Sequence, residues 1–209
     1  QAQDFTSRTP EDIQEDRRLQ ARLNAMPDDE FLEWRRQHRK ELAEIVSFDV
    51  WEYVPAAASR GHKTVKARWV ERYKNGVCKS RFVAMEVAYT LRDDCHAGTP
   101  PIAMTRFIIS DAATQEEDGE VKVLAVGDIT CAFLHAEMPA DEPPIYLIFP
   151  EGLAPPGARG RLKCSLYGTR RASLLWSGYV ARKMKRRGFR RLKGCPQAYQ
   201  HQPKKVKSI

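Results

Sequence analysis

The chain has 209 residues, of which 42% are hydrophobic and 30% are charged, a composition that excludes a wholly disordered protein and is sufficient for one substantial domain. Its formal net charge of +8 favours anionic partners such as nucleic acid. The five cysteines are widely spaced and form no Cys-x-x-Cys pair, so neither a disulfide framework nor a zinc ribbon is expected.

The positive charge is concentrated at one end of the sequence. Residues 152–209 contain sixteen Lys and Arg and no Asp or Glu, whereas residues 1–47 carry a net charge of −3 and residues 48–151 a net charge of −5. A block of like charges repels itself unless anions bind to it, and neutralising a phosphate backbone releases counterions. A solvated basic surface and a nucleic-acid-binding surface are both open interpretations, and we favour the second.

Two helices are predicted before residue 50. Residues 1–8 are expected to be disordered, and residues 9–12 (Thr-Pro-Glu-Asp) have the composition of a helix start. A second helix begins at residues 27–30 (Pro-Asp-Asp-Glu). Its apolar face recurs every three or four residues and consists of Phe31, Trp34, His38, Leu42 and Ile45.

A β-hairpin is the clearest local pattern. The segments Thr64–Tyr73 and Val77–Val87 are rich in strand-forming residues and flank Asn75-Gly76, a pair that tolerates the positive φ of a tight turn. The register decides which of the hairpin cations share a face; these cations are Lys66, Arg68, Lys79 and Arg81.

The second half of the chain is predicted to mix helices and strands. The predicted order is a helix at 99–114, a strand at 121–127, a strand at 145–149, a loop at 150–160, an extended segment at 162–167 and a helix at 172–187. The first of these helices is expected to bury Ile102, Phe107, Ile108 and Ala112. The last is ringed by cations and should end at Gly188. The four tryptophans are interpreted as packing residues.

Asp128 is the candidate functional residue that the pattern singles out. It follows the apolar, β-branched strand at 121–127 and precedes an apolar Ala132-Phe133-Leu134 step. An Asp after a strand is most often a turn or cap residue, and the alternative is a metal-binding carboxylate.

Six sequence blocks, in order from about Trp34 to Tyr199, resemble the reverse transcriptase of copia-type LTR retrotransposons. The blocks are Trp51-Glu52-Tyr53-Val54-Pro55, Arg68-Trp69-Val70 with a lysine after it, Asn75-Gly76 with Lys79-Ser80-Arg81-Phe82-Val83-Ala84, Gly127-Asp128-Ile129-Thr130-Cys131-Ala132-Phe133-Leu134, Ile145-Tyr146-Leu147 with Pro150 and Gly152, and Leu166-Tyr167-Gly168 with Ala172 and Trp176, ending at Gly188-Phe189. The resemblance implies an α+β fold, the fingers and palm of a right-hand polymerase with an antiparallel sheet and packed helices, here incomplete. It implies a charged extension at 1–30, a reverse transcriptase domain at 31–201 and a basic tail at 202–209.

The resemblance also implies roles for individual residues. Asp128 would be the first catalytic carboxylate and, with the carbonyl of Ile129, a ligand of Mg2+ or Mn2+, with two ions expected only in the complete domain. The nucleotide-binding residues would be Lys79, Arg81, Phe133, Tyr167 and Gly168. The residues that follow the nucleic-acid backbone would be Arg170, Arg171, Arg182, Lys183, Arg186 and Arg187.

The sequence departs from the family at several points. The strand-turn-strand with paired aspartates that supplies the other catalytic carboxylates is missing. Met85-Glu86 stand where Lys and Gly are usual, and Thr169-Arg170-Arg171-Ala172-Ser173 replace a Leu-Lys-Gln-Ala-Pro run. Glu86 is expected to be electrostatically unhelpful beside a triphosphate. We therefore expect this chain to be inactive as a polymerase by itself.

The partners implied are an RNA template, a DNA primer, deoxynucleoside triphosphates, and the integrase and RNase H parts of a polyprotein, with no membrane partner. An intracellular location is expected, in a cytoplasmic particle or the nucleus. Two alternatives stay open: a non-catalytic nucleic-acid-binding relic that keeps the fold, and an unrelated basic RNA-binding module.

Overall fold

The computed structural model describes residues 28–74, 77–86, 98–114, 123–201 and 206–208. Within these ranges, the helices and strands are α1 (Asp28–Ser47), β1 (Trp51–Pro55), β2 (Lys63–Lys74), β3 (Val77–Ala84), α2 (Ile102–Ala113), β4 (Ile145–Ile148), β5 (Ala158–Leu162), α3 (Ala172–Arg186), β6 (Arg190–Leu192), β7 (Cys195–His201) and β8 (Val206–Ser208). The α+β class is therefore confirmed. The predictions for residues 1–27, for the Asn75-Gly76 turn and for Lys204 and Lys205 lie outside the described residues.

The chain divides into two compact units. One consists of residues 1–43 and 69–81, and the other of residues 44–68 and 82–209. The first unit therefore contains most of the described part of α1 and segments of β2 and β3. The second contains the other strands, α2 and α3. The domain boundaries at residues 30 and 201 stay a prediction.

Five strands form a mixed sheet in the order β1-β5-β4-β2-β3. β5 pairs antiparallel with β1, with Tyr53 opposite Gly160, and antiparallel with β4. β2 pairs parallel with β4, with Val65 opposite Leu147. The prediction of an antiparallel sheet is thus wrong for this pair. The chain returns from β2 to β4 through the long segment that contains α2, and a connection of that length permits parallel pairing.

Aromatic rings and aliphatic side chains form the core of the second unit. Phe82, Leu147 and Leu166 are each fully buried. The ring of Trp51 lies 5.6 Å from that of Phe82 and 5.1 Å from that of Phe149, centroid to centroid. Burying side chains of this size is the main favourable contribution to folding.

Each tryptophan packs inside one unit, which confirms its interpretation as a packing residue. Trp34 is 2% exposed, and Trp51 belongs to the core just described. Trp69 stacks on His38 with centroids 3.9 Å apart, and Trp176 stacks on Tyr179 at 5.6 Å. On α1, however, the buried stripe contains Glu41 rather than Leu42.

The helix α3 forms as predicted, whereas the three strands that follow it, β6–β8, were not predicted from the sequence. The helix ends at Arg186, and Gly188 adopts a φ of +84°. The N–H of Gly188 donates to the carbonyl of Lys185 and the N–H of Phe189 to that of Met184, both at 3.0 Å. These two bonds define a Schellman motif, so the predicted helix end is confirmed. β6, β7 and β8 then form an antiparallel sheet.

The strand predicted at 121–127 is wrong for its described residues. Residues 123–129 have no regular structure, and Val123 and Val126 are 87% and 93% exposed. A strand needs a neighbour that binds its N–H and C=O groups and a surface that covers its apolar side chains. No described strand pairs with this segment. High β-propensity alone therefore does not produce a strand here.

The helix α2 forms as predicted but does not bury its apolar residues. Among its described side chains none is buried, and Ile102 and Phe107 are 66% and 50% exposed. An amphipathic helix buries a face only where another element covers it, so the expected burial is wrong. No helix in the described ranges is long and apolar enough to cross a membrane.

Replacing Gly168 with Ala is predicted to be costly, because Gly168 has a φ of +82° and a Cβ there would lie 2.0 Å from the carbonyl oxygen of Ala84. Gly194 is the matched control: its φ is +79°, and a Cβ would meet nothing within 4 Å. We expect Gly194→Ala to cost about 1–2 kcal/mol of unfolding free energy. Gly168→Ala should cost roughly twice that or more. Chemical denaturation measures both, and equal losses would contradict the close approach.

Candidate nucleotide and nucleic-acid sites

The Tyr167-Gly168 turn is bonded to the end of β3. The N–H of Ala84 donates to the carbonyl of Tyr167 at 2.7 Å, and the N–H of Glu86 donates to that of Gly168 at 3.3 Å. The N–H of Met85 donates in the other direction, to Lys66 on β2, at 2.7 Å. The turn and the two strands are therefore held together by main-chain hydrogen bonds, which position the side chain of Tyr167.

The aromatic residue Phe133 is brought to the same place. It lies in a short 3-10 helix at Ala132–His135, which begins after Cys131 in a left-handed conformation (φ +53°). The thiol of Cys131 donates to the carboxylate of Glu44 at 2.9 Å. The ring of Phe133 lies 5.2 Å from that of Tyr167, tilted by 44°. Three of the predicted nucleotide-binding residues, Phe133, Tyr167 and Gly168, thus meet in the second unit.

Glu86 has a structural role that sequence analysis missed. Its side chain is 6% exposed and accepts a hydrogen bond from the N–H of Arg170 at 2.9 Å and one from the ammonium of Lys63. A buried carboxylate is tolerated when it is paired and hydrogen-bonded in this way. No local pattern shows this, because Lys63 and Arg170 are distant in the sequence. The carboxylate therefore links the start of β2 to the turn that precedes α3.

Asp128 lies in the irregular segment 123–129 and is exposed. In the described part of the chain, no group of three or more His, Cys, Asp or Glu side chains could hold a metal ion. Magnesium sites in polymerases draw on several hard oxygen ligands. The residues described here therefore do not assemble such a site, and the roles of Asp128 and Ile129 as metal ligands stay a prediction.

The two predicted triphosphate cations belong to β3 within the first unit. Side chains along this strand alternate between exposed and buried, and Lys79 and Arg81 are on the exposed face. Arg81 donates to the carboxylate of Glu41 at 2.8 Å, and that carboxylate is 5% exposed. A triphosphate that binds Arg81 would therefore compete with the buried carboxylate of Glu41. Lys79 is also exposed.

Three of the six predicted nucleic-acid-binding residues surround one small cleft. Arg182, Lys183 and Arg186 line a cleft of about 160 Å³ on α3, together with Tyr179 and Glu137. The ammonium of Lys183 lies 5.1 Å from the centroid of the Tyr179 ring. Arg187 is exposed just beyond the helix. Arg170 is half-buried in the turn, and Arg171 pairs with the carboxylate of Glu142.

Acids from upstream partly neutralise the basic C-terminal block. Arg161 pairs with Glu52 at 2.7 Å, and Lys163 pairs with Asp49. The hydrogen bond to Asp49 raises the pKa of Lys163. By contrast, the cations of α3 and of the β6–β7 hairpin form no ion pair within the described residues; they are Arg182, Lys183, Lys185, Arg186, Arg187, Arg190, Arg191 and Lys193. The positive charge is therefore concentrated on that helix and hairpin.

Comparison with known proteins finds no match. No model of a protein family matches the chain, and neither a curated protein nor a solved structure matches it. The resemblance to copia-type reverse transcriptases therefore rests on the sequence blocks alone.

Replacing Glu86 with Ala is predicted to destabilise the second unit by about 2–3 kcal/mol, because a buried N–H and an ammonium lose a charged acceptor. The matched control is Glu52→Ala, which removes an ion pair whose side chains are 41% and 49% exposed. The control should cost less than about 1 kcal/mol. Urea unfolding of both variants measures the difference. A loss at Glu86 no larger than the loss at Glu52 would contradict the structural role of this carboxylate.

Proposed function

We propose that this chain is the fingers and partial palm of a copia-type reverse transcriptase, an RNA-directed DNA polymerase that is inactive in this isolated form. One observation carries the proposal: Phe133 and Tyr167, from separate sequence blocks, lie with their rings 5.2 Å apart beside the Gly168 turn. The resemblance assigns both residues to one nucleotide pocket. The sequence between Phe133 and Tyr167 does not by itself require their rings to be in contact.

The distribution of charge supports a nucleic-acid partner. The cations of α3 and the following hairpin have no carboxylate at ion-pair distance within the described residues. Lys and Arg on one surface attract the phosphate backbone without reading sequence. We infer that α3 follows the backbone of a template–primer duplex, with Arg182, Lys183, Arg186 and Arg187 as the contacting residues.

A non-catalytic nucleic-acid-binding relic is the second candidate, and two observations favour it. Asp128 is exposed in an irregular segment, and the described residues assemble no metal centre. Arg81 is already bound to a buried carboxylate. Under this alternative the basic surface and the Tyr167-Gly168 turn remain, but nucleotidyl transfer does not.

Primer extension with Mg2+ separates the two candidates. The chain is expressed with its natural downstream segment, and Asp128→Asn is compared with Asp141→Asn, a matched change at an exposed loop carboxylate. If Asp128 is a catalytic carboxylate, Asp128→Asn should lower the extension rate on the order of a hundredfold or more, because charge developing on the phosphates loses its stabilisation. Asp141→Asn should leave the rate unchanged.

The outcomes discriminate clearly. Equal activity of the two variants would remove Asp128 from catalysis. No extension by the unmodified longer chain, together with retained binding of a primer–template duplex, would favour the relic. The chain without its downstream segment should give no extension in either form.

A further inference from the structure

A second basic cleft lies between the end of α3 and the β6–β7 hairpin. It has a volume of about 340 Å³ and is lined by Ala181, Lys185, Phe189, Arg190, Arg191 and Tyr199. Three of these residues are cations, two are aromatic and none is acidic. None of them is among the residues that the family resemblance assigns to nucleotide or nucleic-acid binding.

Arg191 is held in place at this cleft. Its Nε donates to the hydroxyl of Tyr199 at 3.3 Å, and its Nη2 donates to the carbonyl of Ser177 at 3.2 Å. The guanidinium also lies 5.7 Å from the centroid of the Tyr199 ring. Tyr199 is the cross-strand neighbour of Arg191 and is 5% exposed. A guanidinium that is already oriented loses less conformational entropy when it binds an anion.

No carboxylate of the described residues neutralises the charge at the cleft. In the described ranges, Lys185, Arg190 and Arg191 form no ion pair with a carboxylate. The carbonyls at the end of α3 would repel an anion, but those of Lys185 and Met184 accept hydrogen bonds from Gly188 and Phe189. The cleft therefore presents three cations, and two of the carbonyls at the helix end are already hydrogen-bonded.

The cleft is larger than a phosphate group requires. Its volume is at the lower end of the range of about 300–1,000 Å³ that is typical of small-molecule sites. Ala181 and the half-buried Phe189 give it an apolar wall beside the cations. Cations next to an aromatic ring suit a ligand that combines a phosphate with a flat base, as nucleotides of a single strand do.

We propose that this cleft binds one nucleotide unit of a single-stranded nucleic acid. Lys185, Arg190 and Arg191 contact its phosphate, and its base packs against Phe189. The site does not depend on Asp128 or on nucleotidyl transfer, so its failure would leave the proposed polymerase origin untouched. A free nucleotide has the same chemistry, and the experiment distinguishes it from a nucleic-acid strand.

Fluorescence anisotropy of a labelled oligothymidylate with the 209-residue chain tests the proposal over a series of salt concentrations. Lys185→Gln combined with Arg190→Gln should weaken binding at least about tenfold at low salt. Losing two contacts should also reduce the slope of log affinity against log salt by about 1.4 for a single strand. The control is Lys193→Gln, which removes one charge in the turn of the same hairpin outside the cleft and should stay within about twofold.

A second variant tests the base contact. Phe189→Leu keeps an apolar side chain, so the fold should persist, but it removes the flat ring. It should weaken oligothymidylate binding by about tenfold while leaving the salt slope unchanged. Thymidine monophosphate should displace the oligonucleotide more effectively than inorganic phosphate, and Phe189→Leu should abolish that difference.

Two results would overturn the proposal. The first is an unchanged salt slope and affinity in the Lys185→Gln/Arg190→Gln variant, or an equal loss in Lys193→Gln. The second is thymidine monophosphate that binds as tightly as oligothymidylate, which would identify a free nucleotide rather than a strand as the ligand.

Discussion

The buried carboxylate of Glu86 is the contact on which the candidate nucleotide site depends. It accepts hydrogen bonds from Lys63, at the start of β2, and from the N–H of Arg170. Main-chain bonds from Ala84 and Glu86 to Tyr167 and Gly168 extend the same connection. The turn that they hold places Tyr167 against Phe133 and leads directly into α3. One buried charge therefore links the sheet, the paired aromatic rings and the start of the basic helix.

The location of acidic residues determines where the protein is positively charged. Asp49, Glu52 and Glu142 lie outside the all-basic block but pair with its residues Lys163, Arg161 and Arg171, respectively. These pairs are partly exposed, so each stabilises the fold only weakly. Their larger effect is on the distribution of charge: among the described residues, the block is neutralised close to the sheet, and its cations on α3 and the β6–β7 hairpin form no ion pair. A surface of this kind suits phosphate backbones, and its two clefts place an aromatic side chain beside the cations.

Features with local causes could be predicted from the sequence, and features with distant causes could not. The helix α3 and its end at Gly188 follow from short-range periodicity and from the tolerance of glycine for positive φ. The strand predicted before Asp128 does not form in its described residues. Its β-propensity is high, but no described strand pairs with it. The strand β5 was missed because Pro and Gly nearby suggested a loop, whereas pairing with β1 and β4 makes it a strand.

The role of Glu86 could not be predicted from its sequence block, because its partners Lys63 and Arg170 come from two other segments. The meeting of Phe133 and Tyr167 was implied by the family resemblance and by nothing local.

Amide hydrogen exchange tests the central role of Glu86 most directly. In the unmodified protein the N–H groups of Ala84 and Arg170 should exchange slowly, since both are hydrogen-bonded. In Glu86→Ala, protection should fall at both amides, while the amides that join β6 to β7 keep theirs. Unchanged protection at Arg170 and Ala84 in this variant would contradict the account, because it would mean that the turn is held without the buried carboxylate.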